Sequence, residues 1–332
     1  ARSSGDAWSL GQVLAFKSYA AVSGAGDPRA ALRYGTEGRD ISETVGDRSA
    51  SRWSRWSIGD ALYMSGDCTA AVAQLQELVF EALDTNDVQA RVVAEIALVY
   101  ALTYSGRIAE AQTTAASAVE CSRTLSDPLA GLAYAAEATA ALAAADLATA
   151  ERASAAALQK LGDDDHFGHL NVNPAPMVAL ALGDHCTARA MADNAVSIRK
   201  GWHLVCALRD RALVAIAQGE VERARGDAHQ ALTEIARVQA YQPCPDVLEI
   251  LAETHIARGD SVAALNSYQT LLDLVERSGD TVALGSVLRP IGQVYYERGK
   301  HFRAARYLFR AREVVESSQD ARTLAAIYEL LG

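Results

Sequence analysis

The chain has 332 residues, half of them hydrophobic and only 6% aromatic, with a formal net charge of −10. An acidic chain repels phosphate backbones unless its basic residues cluster, which argues against direct nucleic-acid binding. No apolar run reaches the ~20 residues of a membrane-spanning helix, the start lacks a signal-peptide pattern, and the five scattered cysteines form no C-x-x-C pair, so the chain reads as cytoplasmic with reduced thiols.

In chain order the sequence reads as pairs of helices. The first pair, 8–46, carries Phe16, Tyr19 and Val22; Asp27-Pro28 opens its second helix, with Pro in the first turn where its missing N–H costs nothing. The second pair, 48–84, places Trp53, Trp56 and Tyr63 at helical spacing on its first helix, and the third, 88–125, adds Tyr100 and Tyr104. The fourth, 128–161, is nearly poly-Ala. Alanine favours helix but buries little area, so this pair should approach closely with little interdigitation. The rhythm breaks at 162–173, GDDDHFGHLNVN, and Pro174 and Pro176 cannot sit inside a helix, so the fifth pair, 174–200, must open with a short one. The sixth, seventh and eighth pairs, 202–240, 244–278 and 280–318, are regular again. An amphipathic stretch, 320–331, reads as a capping helix or the first helix of a ninth pair. Together with the absent initiator Met it suggests a piece of a larger protein.

One template fits all eight pairs. Its turn position falls at Gly26, Gly66, Gly106, Ala145, Gly183, Gly219, Gly259 and Gly299, spaced 36 to 40 residues apart. Five residues after the turn stands Ala every time: Ala31, Ala71, Ala111, Ala150, Ala188, Ala224, Ala264 and Ala304. Seven before it, Gly59, Ala138, Ala212, Ala252 and Gly292 are small. Small residues at these offsets let two helices of a hairpin approach closely.

This pattern resembles the tetratricopeptide repeat. The usual period is about 34 residues; the longer one is similar to the MalT-like arrays of large bacterial LuxR-type and STAND regulators, and to the arrays of bacterial peptide-sensing regulators. The resemblance implies an all-α, right-handed α-solenoid of about eight hairpins forming a single domain over 1–332, with first helices lining a concave face. It also implies flanking ATPase and DNA-binding domains. The role implied is a non-enzymatic sensor or scaffold whose groove takes a protein, a peptide or a small-molecule effector. A stand-alone adaptor for peptide segments is the alternative, and the oligomeric state is open.

Carried onto this chain, the groove positions are Trp53, Trp56, Asp60 and Tyr63; Val93, Ile96, Tyr100 and Thr103, with Tyr104 beside them; Asn173 and Met177; Arg209; Asp246, Glu249 and Glu253; and Arg289, Gln293 and Tyr296. The N-terminal set is aromatic, as peptide anchors are, and the C-terminal set charged. Aromatics at helical spacing can equally be packing between neighbouring helices. No phosphate-cradling loop, nucleophile elbow or zinc-helix motif occurs, so no catalytic residue and no cofactor is expected. Asp163, Asp164, Asp165, His166 and His169 form a loose set of metal-capable groups and read as a solvated loop, with no metal expected. The basic run Lys300, Arg303, Arg306, Arg310 and Arg312 reads as a solvated face, a domain contact or, least of all, a nucleic-acid patch.

Overall fold

The computed structural model describes residues 6–161, 174–278, 281–318, 324 and 327–330. Asn173, the Asp163–His169 loop and most of 320–331 lie outside the described residues. Among those described there is no strand, and the helices pack as consecutive hairpins.

The chain folds as two compact units, one made of residues 1–214 with 230–243, the other of residues 215–229 with 244–332. Helix α1 (Ala7–Ala20) runs into a π-helical turn, Ala21–Ala25, and then come α2 (Pro28–Thr44), α3 (Arg48–Ser65), α4 (Cys68–Asp84), α5 (Val88–Tyr104) and α6 (Ile108–Ser122). Next follow α7 (Asp127–Ala143), α8 (Leu147–Leu161), the short α9 (Ala175–Ala181), α10 (His185–Ile198), α11 (Gly201–Ala217) and α12 (Val221–Val238). The last hairpins are α13 (Cys244–Ala257) with α14 (Ser261–Ser278), and α15 (Thr281–Glu297) with α16 (His301–Ser318).

The turns form for a local reason. All seven glycines at the turn position have φ between +56° and +97°, and Ala145 takes +58°. This left-handed residue ends one helix and reverses the chain. The residue after it is often Asp, which starts the next helix. The carboxylates of Asp27, Asp67, Asp184 and Asp260 accept backbone N–H groups three residues on, at 2.9 to 3.0 Å. Each such cap is worth about 1 kcal/mol.

The alanines five residues on are the contact points of the hairpins. Seven of the eight are fully buried, and Ala304 is 1% exposed. Where the facing residue is Gly, the approach is closer still: a Cβ on Gly59 would lie 2.6 Å from Leu75 Cδ2, and one on Gly292 would lie 2.6 Å from Leu308 Cγ. In the Ala-rich fourth hairpin, the buried residues of α7 are all Ala or Gly. Pro290 sits inside α15, where it removes one ladder hydrogen bond, a position the spacing pattern alone does not single out.

Candidate functional site

In the first unit, α11 comes back to the turn of the first hairpin. The Trp202 N–H donates to the Gly26 carbonyl at 2.8 Å, and His203 Nε2–H donates to the Val22 carbonyl at 2.9 Å. Gly26 and Gly201 make this possible. Both have positive φ, and a Cβ on Gly26 would lie 2.6 Å from the Trp202 nitrogen. A second tie lies in the same unit, where Gln242 N–H donates to the Met64 carbonyl at 3.2 Å.

Trp202 is fully buried, in one cluster with Val22, Met64, Tyr63, Tyr100 and Cys206. Its ring centroid stands 5.8 Å from Tyr63 and 6.3 Å from Tyr104. Tyr63 is in turn 6.3 Å from Tyr100 and 5.9 Å from Tyr104. The predicted tyrosines thus gather at one point, and the chain's own tryptophan lies against them. Burial pushes the Tyr63, Tyr100 and Tyr104 phenols upward, so they stay neutral donors.

Against His203 lies a cavity of about 120 Å³, with Tyr19, Trp53, Trp56, Asp60, Tyr63 and Tyr100 among its other walls. Tyr19, Trp53 and Trp56 form an aromatic corner with centroids 5.5 to 5.8 Å apart, Trp53 standing edge-on to both of the others. Trp53 is 39% exposed and forms the rim. A larger cavity of about 370 Å³ shares Trp53, Trp56 and Val93 and has Arg48, Arg52 and Asp87 in its walls. Arg52 is held there by Glu81 at 2.8 Å and Asp87 at 2.9 Å.

The inner cavity is apolar except for a few polar groups. Trp56 Nε1 and Asp60 Oδ1 are buried without a hydrogen bond, while the buried Ser23 hydroxyl lies beside that of Tyr19 and the buried Tyr100 hydroxyl beside that of Thr139. Ser23 is supplied by the π-helical turn, an irregularity that often marks functional sites. Asp60 is 7% exposed, and burial pushes its carboxyl up to about 8, offset only in part by the Tyr63 hydroxyl. Other buried carboxylates of this unit have arginine partners: Glu95 meets Arg91 at 2.8 Å and Asp210 meets Arg209 at 2.9 Å. Unsatisfied buried polar atoms cost about 1–3 kcal/mol each, which singles this hollow out as the candidate site.

Arg209 lines a separate cavity of about 200 Å³ in the same unit, with Tyr104, Met177, Arg199 and Cys206. Sequence reasoning placed Trp53, Trp56, Asp60, Tyr63 and Tyr100 among the candidates but missed Tyr19, Ser23, Trp202 and His203. Ser23 stands three residues before the Gly26 turn, a groove position of the repeat that was not carried onto the first hairpin, and Trp202 and His203 come into place through a contact about 180 residues away, for which no local signal exists.

Two solved structures share this architecture. The Cut9–Hcn1 hetero-tetramer of the APC/C matches with a TM-score of 0.67 at 16% identity, over 92% of this chain and 53% of that one. A STAND protein with a tetratricopeptide repeat sensor, from Pyrococcus horikoshii, matches with a TM-score of 0.54 at 12% identity, over 97% and 50%. The fold is that of a tetratricopeptide-repeat array.

No family model matches the repeat array. Its sequence is 36% identical over 252 residues to proteins of Mycobacterium tuberculosis and Mycobacterium bovis that carry the name HTH-type transcriptional regulator. The match takes in 76% of this array but 28% of those relatives, so the chain spans a little over a quarter of their length.

The remaining predicted positions of the array lie in the second unit. Glu249 and Glu253 sit on α13; partial desolvation, then the charges of Glu253 and Asp246, lift the Glu249 carboxyl, and Arg289 on α15 opposes this. Gln293 donates to Glu297 at 3.0 Å, and Tyr296, 47% exposed, meets the His301 ring edge-on at 5.3 Å. Arg310 of the basic run pairs with Glu276 at 2.7 Å. Among the described residues no group of three or more His, Cys, Asp or Glu side chains could hold a metal ion, and no helix is long and apolar enough to cross a membrane.

Proposed function

We propose that this chain is a non-catalytic, effector-binding sensor segment of a bacterial HTH-type transcriptional regulator, working in the cytoplasm. One observation carries the reading: 36% identity over 252 residues to mycobacterial proteins named as such regulators, of which the chain spans 28%. The rest of such a protein would supply the DNA-binding module, and an ATPase module is the other expected flank. The Pyrococcus horikoshii neighbour, whose repeats are called a sensor, is in keeping with this division of labour.

The geometry of the first unit favours a small effector over a peptide. A peptide would need the face formed by Tyr63 and Tyr104 to be open, but Trp202 lies on it. An effector seated against His203 would act by holding α11 against the first hairpin more firmly than the protein alone does. Such a ligand shifts a conformational equilibrium only by its difference in affinity for the two states.

The coding sequence around the chain tests the reading directly. A helix-turn-helix in the same reading frame is the expected result. A stop codon on either side without one refutes it and favours a stand-alone adaptor.

A further inference from the structure

The cavity against His203 also specifies the chemistry of its occupant. Its volume, about 120 Å³, is close to the roughly 150 Å³ cavity that takes benzene, so it has room for a group of on the order of six to eight non-hydrogen atoms. Three aromatic rings stand together on one side, Trp53 edge-on to Tyr19 and to Trp56 and the latter two inclined at 36°, and an aromatic wall of this kind attracts a cation through whichever ring faces remain open. Asp60 lies on the same wall, buried, with Oδ1 unpartnered and, among the described residues, no arginine or lysine lining the cavity. What this carboxylate lacks is a positive charge, and Glu95 and Asp210 show that this fold otherwise provides one to buried acids.

We propose that the cavity binds a small organic monocation, an alkyl or quaternary ammonium group, with Asp60 as its counter-ion and Tyr19, Trp53 and Trp56 as its aromatic wall. The proposal rests on the effector-binding reading above and names the effector's chemical class. The outer cavity gives the route in, past the exposed edge of Trp53. The arginine beside that route, Arg52, has its charge balanced by Glu81 and Asp87.

Binding is coupled to a proton. Burial pushes the Asp60 carboxyl up to about 8, toward its neutral form, and a bound cation draws the carboxylate form. The titratable groups facing it are Tyr19 from α1, Tyr63 from its own helix, Tyr100 from α5 and His203 from α11. The phenols are pushed up by burial and stay neutral, and His203 Nε2–H is engaged by the Val22 carbonyl. One proton should therefore leave for each cation bound.

The test uses choline and its uncharged carbon isostere, 3,3-dimethylbutan-1-ol, titrated into the full 332-residue chain with tryptophan fluorescence and calorimetry as readouts. Choline should bind more than about tenfold tighter than the alcohol, and its affinity should rise about tenfold per pH unit from pH ~6, flattening near pH ~8. Asp60→Asn should lose both the preference and the pH dependence while remaining folded, and Trp53→Leu should weaken choline severalfold with the pH dependence intact. Equal binding of the alcohol, or undiminished choline binding by Asp60→Asn, overturns the cation. If an uncharged polar molecule raises the melting temperature in its place, the cation fails and the effector reading survives. If choline binds but hydrogen exchange of the α11 amides is unchanged, the cation site stands and the effector reading fails.

Discussion

Replacing Trp202 by alanine should loosen the first unit and leave the second unchanged. A tryptophan buries roughly 150–250 Å². At about 25 cal/mol per Å² its complete burial is worth about 5 kcal/mol as an upper bound. Against this stands the indole N–H, which is buried without an acceptor and costs about 1–2 kcal/mol that the alanine variant recovers. The net loss for Trp202→Ala is then about 3–4 kcal/mol, inside the range known for buried Trp→Ala changes. Trp202→Phe keeps most of the ring contacts with Tyr63 and Tyr104 and discards the orphan N–H, so it should fall within about 1 kcal/mol of the parent. A global melt is a poor assay, because repeat arrays need not unfold in one step. Native-state hydrogen exchange is the right one. Protection should fall in α11, in the Ala21–Ala25 turn and along α3 and α5, and should be unchanged in α13 to α16. Equal losses in the Ala and Phe variants, or a loss below about 1 kcal/mol in the Ala variant, would refute the claim that α11 is held to the first hairpin by this side chain.

Ala145→Gly should raise stability by about 1 kcal/mol, because Ala145 carries a Cβ at φ +58° where the other turn positions carry Gly; the check is a melting-temperature rise of a few degrees. Asp60 should make stability fall with pH. Its folded pKa, about 8, lies above the ordinary 3.8, so the folded chain keeps a proton that the unfolded chain has released. The benefit is complete below pH ~4 and is lost as pH rises through the folded value. Asp60→Asn should therefore be nearly neutral near pH ~4 and stabilising by on the order of 4 kcal/mol at pH 7; denaturant melts at the two pH values decide it, and a difference that does not change with pH sinks the assignment.

The hairpin pattern is legible in the sequence because each of its causes is local. A left-handed residue ends one helix, an aspartate caps the next, and an alanine five positions on marks where the two touch, so spacing alone finds the turns. Ala145 shows how far this reaches: its residue type argues against a left-handed turn, and only its place in the series predicts one. The aromatic candidates are half legible for the same reason. Their face of the helix follows from the repeat, but what covers that face does not.

What covers Tyr63 and Tyr104 is decided by a contact between Gly26 and Trp202, which neither hairpin specifies by itself. That contact changes the meaning of Asp60. On an open groove, a carboxylate among aromatic rings would stay hydrated and ionised, one polar contact among many. With α11 laid alongside, water's access is cut, the carboxyl is forced toward its neutral form, and its Oδ1 is left without a partner. The hydrophobic burial that holds α11 in place is what keeps this site short of a charge, so a ligand that supplied the charge would strengthen the closure that created the need for it.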